Sequence, residues 1–255
     1  MRLAAVVVAC VAFGGVTSAA PRAADAPRPS LRHLVYSVRA GASTITEVKR
    51  SGFGQNGGNS EDFGISGIIN RGTITIDVLA VTNDGALVMD IVENAQSRST
   101  PHARVAVFDD GRLLYDNRVD LMPESLELLR LCARHIFDEH AEISGARWTE
   151  DHPQSNQVES TTYETGAVVG DRSLVRFDRN VQMKGISATV ETRAAVLYDR
   201  HYLMPVVASL AQRIRTSDLE QAKRTTVSWQ IRLLEDSFSK LAATTEPPAM
   251  IMPAH

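Results

Sequence analysis

Gly185-Ile186-Ser187-Ala188-Thr189-Val190-Glu191-Thr192-Arg193-Ala194-Ala195-Val196-Leu197-Tyr198-Asp199 decides the fold class. Ile186, Ala188, Val190, Ala194, Val196 and Tyr198 recur at even spacing, with Ser187, Thr189, Glu191 and Arg193 between them. Side chains alternate across a strand, so this pattern predicts one strand with an apolar face and a wet face. Asp199-Arg200 forms a short turn, and Tyr202, Met204, Val206, Ala208, Leu210 and Ile214 line the next strand. Pro205 has no N–H to give a ladder, which puts its strand at an edge or bulges it there.

The same alternation extends in both directions. Downstream, Val227, Trp229, Ile231 and Leu233 oppose Thr226, Ser228, Gln230 and Arg232. Upstream, Val175, Phe177 and Val181 share a face. In the N-terminal half, Leu34, Tyr36, Val38, Ala40 and Ala42 line a first strand, followed by Ile74, Ile76, Val78 and Ala80. Asn83-Asp84-Gly85 is a hairpin turn leading into Leu87, Met89 and Ile91. Val105 and Val107 make a further strand, which Asp109-Asp110-Gly111 turns into Leu113-Leu114-Tyr115. Several runs exceed the usual strand length, and long adjacent strands coil into a saddle or a partly closed barrel. Asp151 to Thr162 is polar and reads as a loop followed by a weak edge strand.

One helix is expected at about residues 123–140. Pro123 suits a first helical position and Glu124 suits the positive helix start. Leu126, Leu129, Ala133, Ile136 and Phe137 form one apolar stripe, with Glu127, Arg130, Arg134 and Asp138 on the opposite, solvated side. The expected class is α+β, mainly β: a long curved antiparallel sheet or open barrel with one covering helix.

Composition narrows the function. The 255 residues carry 27 Lys+Arg and 30 Asp+Glu, a formal net charge of −3, which argues against nucleic-acid binding by bulk charge. Met1-Arg2, the apolar run Leu3 to Val16 and the small residues Thr17-Ser18-Ala19 read as a secretory signal peptide over residues 1–19. Residues 20–30 read as a flexible leader, 31–239 as one β-rich domain and 240–255 as a flexible tail. The mature protein is thus expected to be exported, periplasmic or secreted, with no integral membrane span after cleavage. The alternatives are an uncleaved N-terminus or lipidation of Cys10. Cys132 is then the one remaining thiol and reads as a small buried hydrophobe.

No motif carries chemistry in its required context. Gly52-Phe53-Gly54-Gln55-Asn56-Gly57 matches the dinucleotide fingerprint by letter, yet no helical pattern follows it, so residues 52–59 read as a hairpin loop. His135, Glu139 and His140 miss the spacing of a zinc helix, and no metal site or cofactor is expected. Asp77 and Asp90 fall on the outward faces of neighbouring strands, which does not suit a catalytic pair. No catalytic residue is assigned.

What remains is the apolar concavity. Leu129, Ile136, Phe137, Phe177, Tyr198, Tyr202 and Trp229, with Trp148 beside them, are the candidate ligand-binding residues. The same residues equally suit a packed core between sheet and helix. The expected partners are an apolar small molecule or lipid in the concavity, or an envelope protein docked on the strands.

Thr189 through Leu210, with Val196-Leu197-Tyr198-Asp199 turning into Leu203-Met204-Pro205-Val206, looks like the hairpin of periplasmic lipoprotein-carrier-like half-barrels and of uncharacterised bacterial secreted β-rich proteins. The likeness covers architecture over about residues 31–238. It implies an incomplete barrel that holds acyl chains in its concavity, and assigns no functional residue.

Overall fold

The computed structural model describes residues 30–48, 62–96, 99–116, 118–132, 143–153, 156–185, 187–200, 204–217 and 221–238. The expected signal peptide, the leader up to residue 29 and the tail lie outside these residues, as do the 52–59 loop, Cys10, Ile136, Phe137, Tyr202 and the His135/Glu139/His140 group.

The first five strands are β1 (Arg32–Val48), β2 (Asp62–Val81), β3 (Leu87–Ala95), β4 (Ser99–Val107) and β5 (Leu113–Tyr115). The helix α1 (Pro123–Leu131) follows. The remaining strands are β6 (Arg147–Pro153), β7 (Gln157–Val169), β8 (Arg172–Met183), β9 (Ala188–Asp199), β10 (Met204–Ser217) and β11 (Gln221–Asp236). All pair antiparallel in one sheet of order β5-β4-β3-β2-β1-β11-β10-β9-β8-β7-β6. The mainly-β, curved-sheet expectation with one helix therefore holds.

Two meanders make this sheet. β1–β5 run one way from the centre, β6–β11 return from the far edge, and β1 joins β11 in the middle over a long ladder from Leu34↔Asp236 to Val48↔Gln221. β5 and β6 are the two edges, and α1 lies in the chain segment that passes between them. The glycine turns close as expected. Gly85 (φ 86°) and Gly111 (φ 80°) occupy the left-handed region, which costs other residues a Cβ clash. Pro205 lies not at an edge but inside the sheet, where the β9–β10 register shifts between Pro205 and Val207. A bulge there removes the need for its missing N–H.

The polar stretch from Asp151 to Thr162 is mostly strand, which corrects the loop expectation. Asp151–Pro153 belongs to β6 and Gln157–Thr162 to β7, and the two pair from Arg147↔Glu164 to Pro153↔Val158. Gln157, Thr161, Tyr163 and Thr165 alternate as the buried face. Threonine suits a pleated, half-buried surface, so the strand forms without an apolar run.

The core sits between the concave sheet and α1. Leu34, Tyr36, Ile74, Ile76, Met89, Ile91, Val105, Val175, Val196, Tyr198, Leu210 and Ile231 pack with Leu128, Leu129 and Leu131 of the helix. Fully burying a side chain of this kind contributes about 1.5–3 kcal/mol. The helix is buried on more than its expected stripe: Glu124, Ser125, Glu127 and Leu128 are buried as well. This corrects the solvated placing of Glu127. A helix seated inside a curved sheet meets protein on several sides, so an opposite face is not an outward face.

Candidate functional site

The concave face is best read rung by rung, because register fixes which side chains stand side by side. One rung runs Asn70, Ala40, Trp229, Leu210, Ala194, Phe177, Tyr163, Trp148 across β2, β1, β11, β10, β9, β8, β7 and β6. It is closed. Trp229, Phe177 and Tyr163 are all buried in the core. Trp148 stacks on Tyr163 at a centroid distance of 5.1 Å, and Tyr163 tilts against Phe177 at 5.7 Å. Such aromatic pairs add to burial through their ring quadrupoles.

Of the candidate ligand-binding residues, the structure brings Leu129, Phe177, Tyr198 and Trp229 together, none more than 7% exposed. Leu129 of α1 and the three aromatic residues of the sheet belong to one cluster. Tyr198 donates its hydroxyl to the Leu131 carbonyl at 3.1 Å, tying β9 to the end of the helix. Burial pushes the Tyr198 phenol well above its ordinary pKa, so it stays a neutral donor.

Polar groups that periodicity did not single out fix the helix in place. The Met122 N–H donates to Glu93 Oε1 at 2.8 Å, and Asn70 Nδ2 donates to Glu124 Oε1 at 3.2 Å. These hold the helix start to β3 and β2. On the other arm, Arg179 Nη2 of β8 contacts Glu127 Oε1 at 3.0 Å and Oε2 at 2.8 Å. Arg130 Nη1 adds a bond to Glu127 Oε1 at 2.7 Å. Burial alone would raise the Glu127 pKa, but attraction to Arg179 and Arg130 outweighs it and holds the carboxyl below its ordinary range. The helix thus bridges two arms of the sheet that are not neighbours in it.

Arg179 marks a boundary on the concave face. Its rung is Ala42, Val227, Gln212, Thr192, Arg179, Thr161. The next rung outward runs Thr44, Thr225, Ile214, Val190, Val181 over β1, β11, β10, β9 and β8. Every residue of that rung is only half-buried. Inward of Arg179 the concavity is filled. Outward of it, a floor of methyl groups and hydroxyls, continued on β7 by the half-buried Glu159 opposite Val181, is left partly open, and this is the candidate site.

The carboxylates expected to point outward do so, and each has its own partner. Asp77 and Asp90 are direct register partners, yet Asp77 Oδ1 pairs with His33 Nδ1 at 2.8 Å. Asp90 pairs with Arg104 at 2.8 Å and His102 at 3.0 Å. Burial raises the Asp90 pKa, but bonds from Arg104 and His102 bring the net below the usual carboxylate value. Asp90 is therefore not a carboxylic acid poised to give up a proton. Among the described residues, no group of three or more His, Cys, Asp or Glu side chains is arranged to hold a metal ion. No described helix is long and apolar enough to cross a membrane.

No protein-family model matches the chain, and no curated protein matches it either.

Proposed function

We propose that this chain is an exported, non-catalytic binding protein of the cell envelope that holds an apolar, lipid-like ligand on the open half of the concave face. The observation that carries this reading is the half-buried rung Thr44, Thr225, Ile214, Val190, Val181. A row of methyl-bearing side chains on a concave, water-facing floor gains free energy when an alkyl chain covers it, at about 25 cal/mol per Å² of apolar surface removed from water. The expected ligand position moves with it: the bed lies outward of Arg179 rather than at Leu129, Phe177, Tyr198 and Trp229. The likeness to lipoprotein-carrier-like half-barrels belongs to this proposal.

The second reading is a structural or protein-interaction module with a filled core and no ligand. The packing of α1, Leu129 included, in one cluster with Phe177, Tyr198 and Trp229 favours it. Native mass spectrometry on full-length protein, expressed for export and purified without detergent, separates the two. An added mass that partitions into organic solvent supports the binding protein. A bare polypeptide mass favours the interaction module.

A further inference from the structure

The face of the sheet turned away from α1 carries a charge opposite to that of the whole chain, whose formal net charge is −3. Tyr36, Val38 and Ala40 of β1 belong to the core, so Ser37, Arg39 and the residues alternating with them point the other way. From the Ser37↔Arg232 pair to the Ile45↔Arg224 pair, this outer face of β1, β11 and β10 holds Arg39, Arg232, Arg224, Arg213 and Arg215 and no Asp or Glu. Arg71 of β2 extends it as the partner of Arg39. Carboxylates return at the border, with Glu235 opposite Val35, Glu47 opposite Ala222 and Glu191 opposite Arg213.

The register adds a separate observation. Arg39 faces Arg71, and Arg215 faces Arg224, as direct cross-strand partners, and all four are exposed. Like charges opposite one another destabilise a sheet, and an anionic layer laid over them lifts that cost. Arg39, Arg71 and Arg224 pair with no carboxylate among the described residues. Glu191 comes no nearer than 3.8 Å to Arg215 and 3.9 Å to Arg213. At those distances it softens the local field without occupying the guanidinium donors as a hydrogen-bond partner would.

The patch also has a defined place on the molecule. β11 is the middle strand of the 11-stranded order, with β1 and β10 on either side of it. The sheet curves round α1, so these strands form the crest of its convex side. Gly41, Ser43, Thr226 and Ser228 between the arginines are small and neutral, and the guanidinium groups reach past them. A convex crest meets a plane, whereas a single extended chain is held in a groove.

We infer that this crest docks the protein on an anionic bilayer surface, with its arginines on the lipid phosphates. Guanidinium forks match phosphate oxygens two at a time. Each basic side chain held near an anionic bilayer tightens binding about fivefold. The inference does not depend on the lipid floor, which lies on the opposite face of the sheet.

The test is co-sedimentation of the full chain, at low salt, with vesicles of phosphatidylcholine alone or of equal parts phosphatidylcholine and phosphatidylglycerol. The expected result is binding at least about tenfold tighter to the anionic vesicles. That advantage falls as salt is added. Arg39→Gln/Arg71→Gln and Arg215→Gln/Arg224→Gln each weaken it about tenfold or more. Arg39→Lys/Arg71→Lys retains most of it. Arg112→Gln/Arg118→Gln, which removes the same charge beside the β5 edge, leaves it unchanged. Thermal midpoints that do not fall show that the variants keep the fold, as relief of like-charge pairs requires.

Equal binding to the two kinds of vesicle overturns the docking surface. So does an equal loss in Arg112→Gln/Arg118→Gln, because net charge rather than this face is then responsible. Binding to dextran sulfate that both outer-face glutamine variants abolish, with none to anionic vesicles, overturns the bilayer and assigns the crest to a polyanionic chain.

Discussion

Arg179 and Glu127 meet inside the concavity, with Arg179 Nη2 2.8 Å from Glu127 Oε2 and both side chains almost fully withdrawn from water. The pair separates the filled part of the interior from the open part. It also links α1 to β8, while Glu93 and Asn70 link the same helix to β3 and β2.

Removing one member strands the other. Glu127→Gln leaves the Arg179 guanidinium buried against a neutral amide and is expected to cost about 3–5 kcal/mol. Arg179→Met is expected to cost less, because Arg130 still bonds Glu127. The double variant Glu127→Leu/Arg179→Met recovers much of the loss, since the charge left without its partner, Arg130, has a side chain 38% exposed to water. Urea unfolding followed by circular dichroism measures all three.

The same pair sets an acid limit. The folded-state pKa of Glu127 lies below its ordinary value of 4.5, so the folded protein binds fewer protons there than the unfolded chain. Its stabilisation is complete above pH 4.5 and is lost as pH falls through the depressed folded value. Urea midpoints measured from pH 7 downward should fall below that point. Asp90 and Asp110 are also lowered and act in the same direction. The Glu127 share is therefore the part of the decline that Glu127→Gln abolishes.

Cys132 is buried at the end of α1, where its thiol donates to the Leu128 carbonyl at 3.3 Å. Burial pushes its pKa up to about 12, with Arg32 opposing weakly. At pH 8 the native protein should react with iodoacetamide far more slowly than the same protein in urea. Mass spectrometry of the carbamidomethyl adduct gives both rates. Equal rates would place the thiol at the surface.

Ile214→Glu puts a carboxylate in the middle of the half-buried rung without entering the packed core. It should change the unfolding free energy by less than about 1 kcal/mol, because partly exposed positions tolerate polarity. If the rung is a lipid floor, the mass that co-purifies with the wild type is absent from this variant. Retention of that mass would move the ligand elsewhere.

Much of this fold was legible because a strand writes its two faces as alternate letters. Tyr198, Phe177 and Trp229 were placed together on the inside from that spacing alone, and they do share one interior. Glu127 was not legible. A helical wheel assigns one buried stripe, and only the curvature of the surrounding sheet buries the opposite side as well. The strands at Asp151–Thr162 were hidden for a related reason: the buried face of β7 includes Gln157, Thr161 and Thr165, which hydropathy counts as polar. The facing of Arg215 on Arg224, and the whole half-buried rung, depend on register between strands. No single segment of sequence contains that information.

The pairing of β1 with β11 governs how the molecule comes into being. The first strand finds one neighbour, β2, soon after it in the chain, but its other neighbour is the last strand. A chain that emerges from its N-terminus presents β1 with one edge unpaired until Gln221–Asp236 has appeared. The two meanders share no ladder before that moment, and only α1, tied to β2 and β3 on one side and to β8 and β9 on the other, spans them. Closure over so long a loop makes folding slow, on the order of milliseconds to seconds or longer. Such a polypeptide stays open until synthesis is nearly done, and completes its interior in one late step.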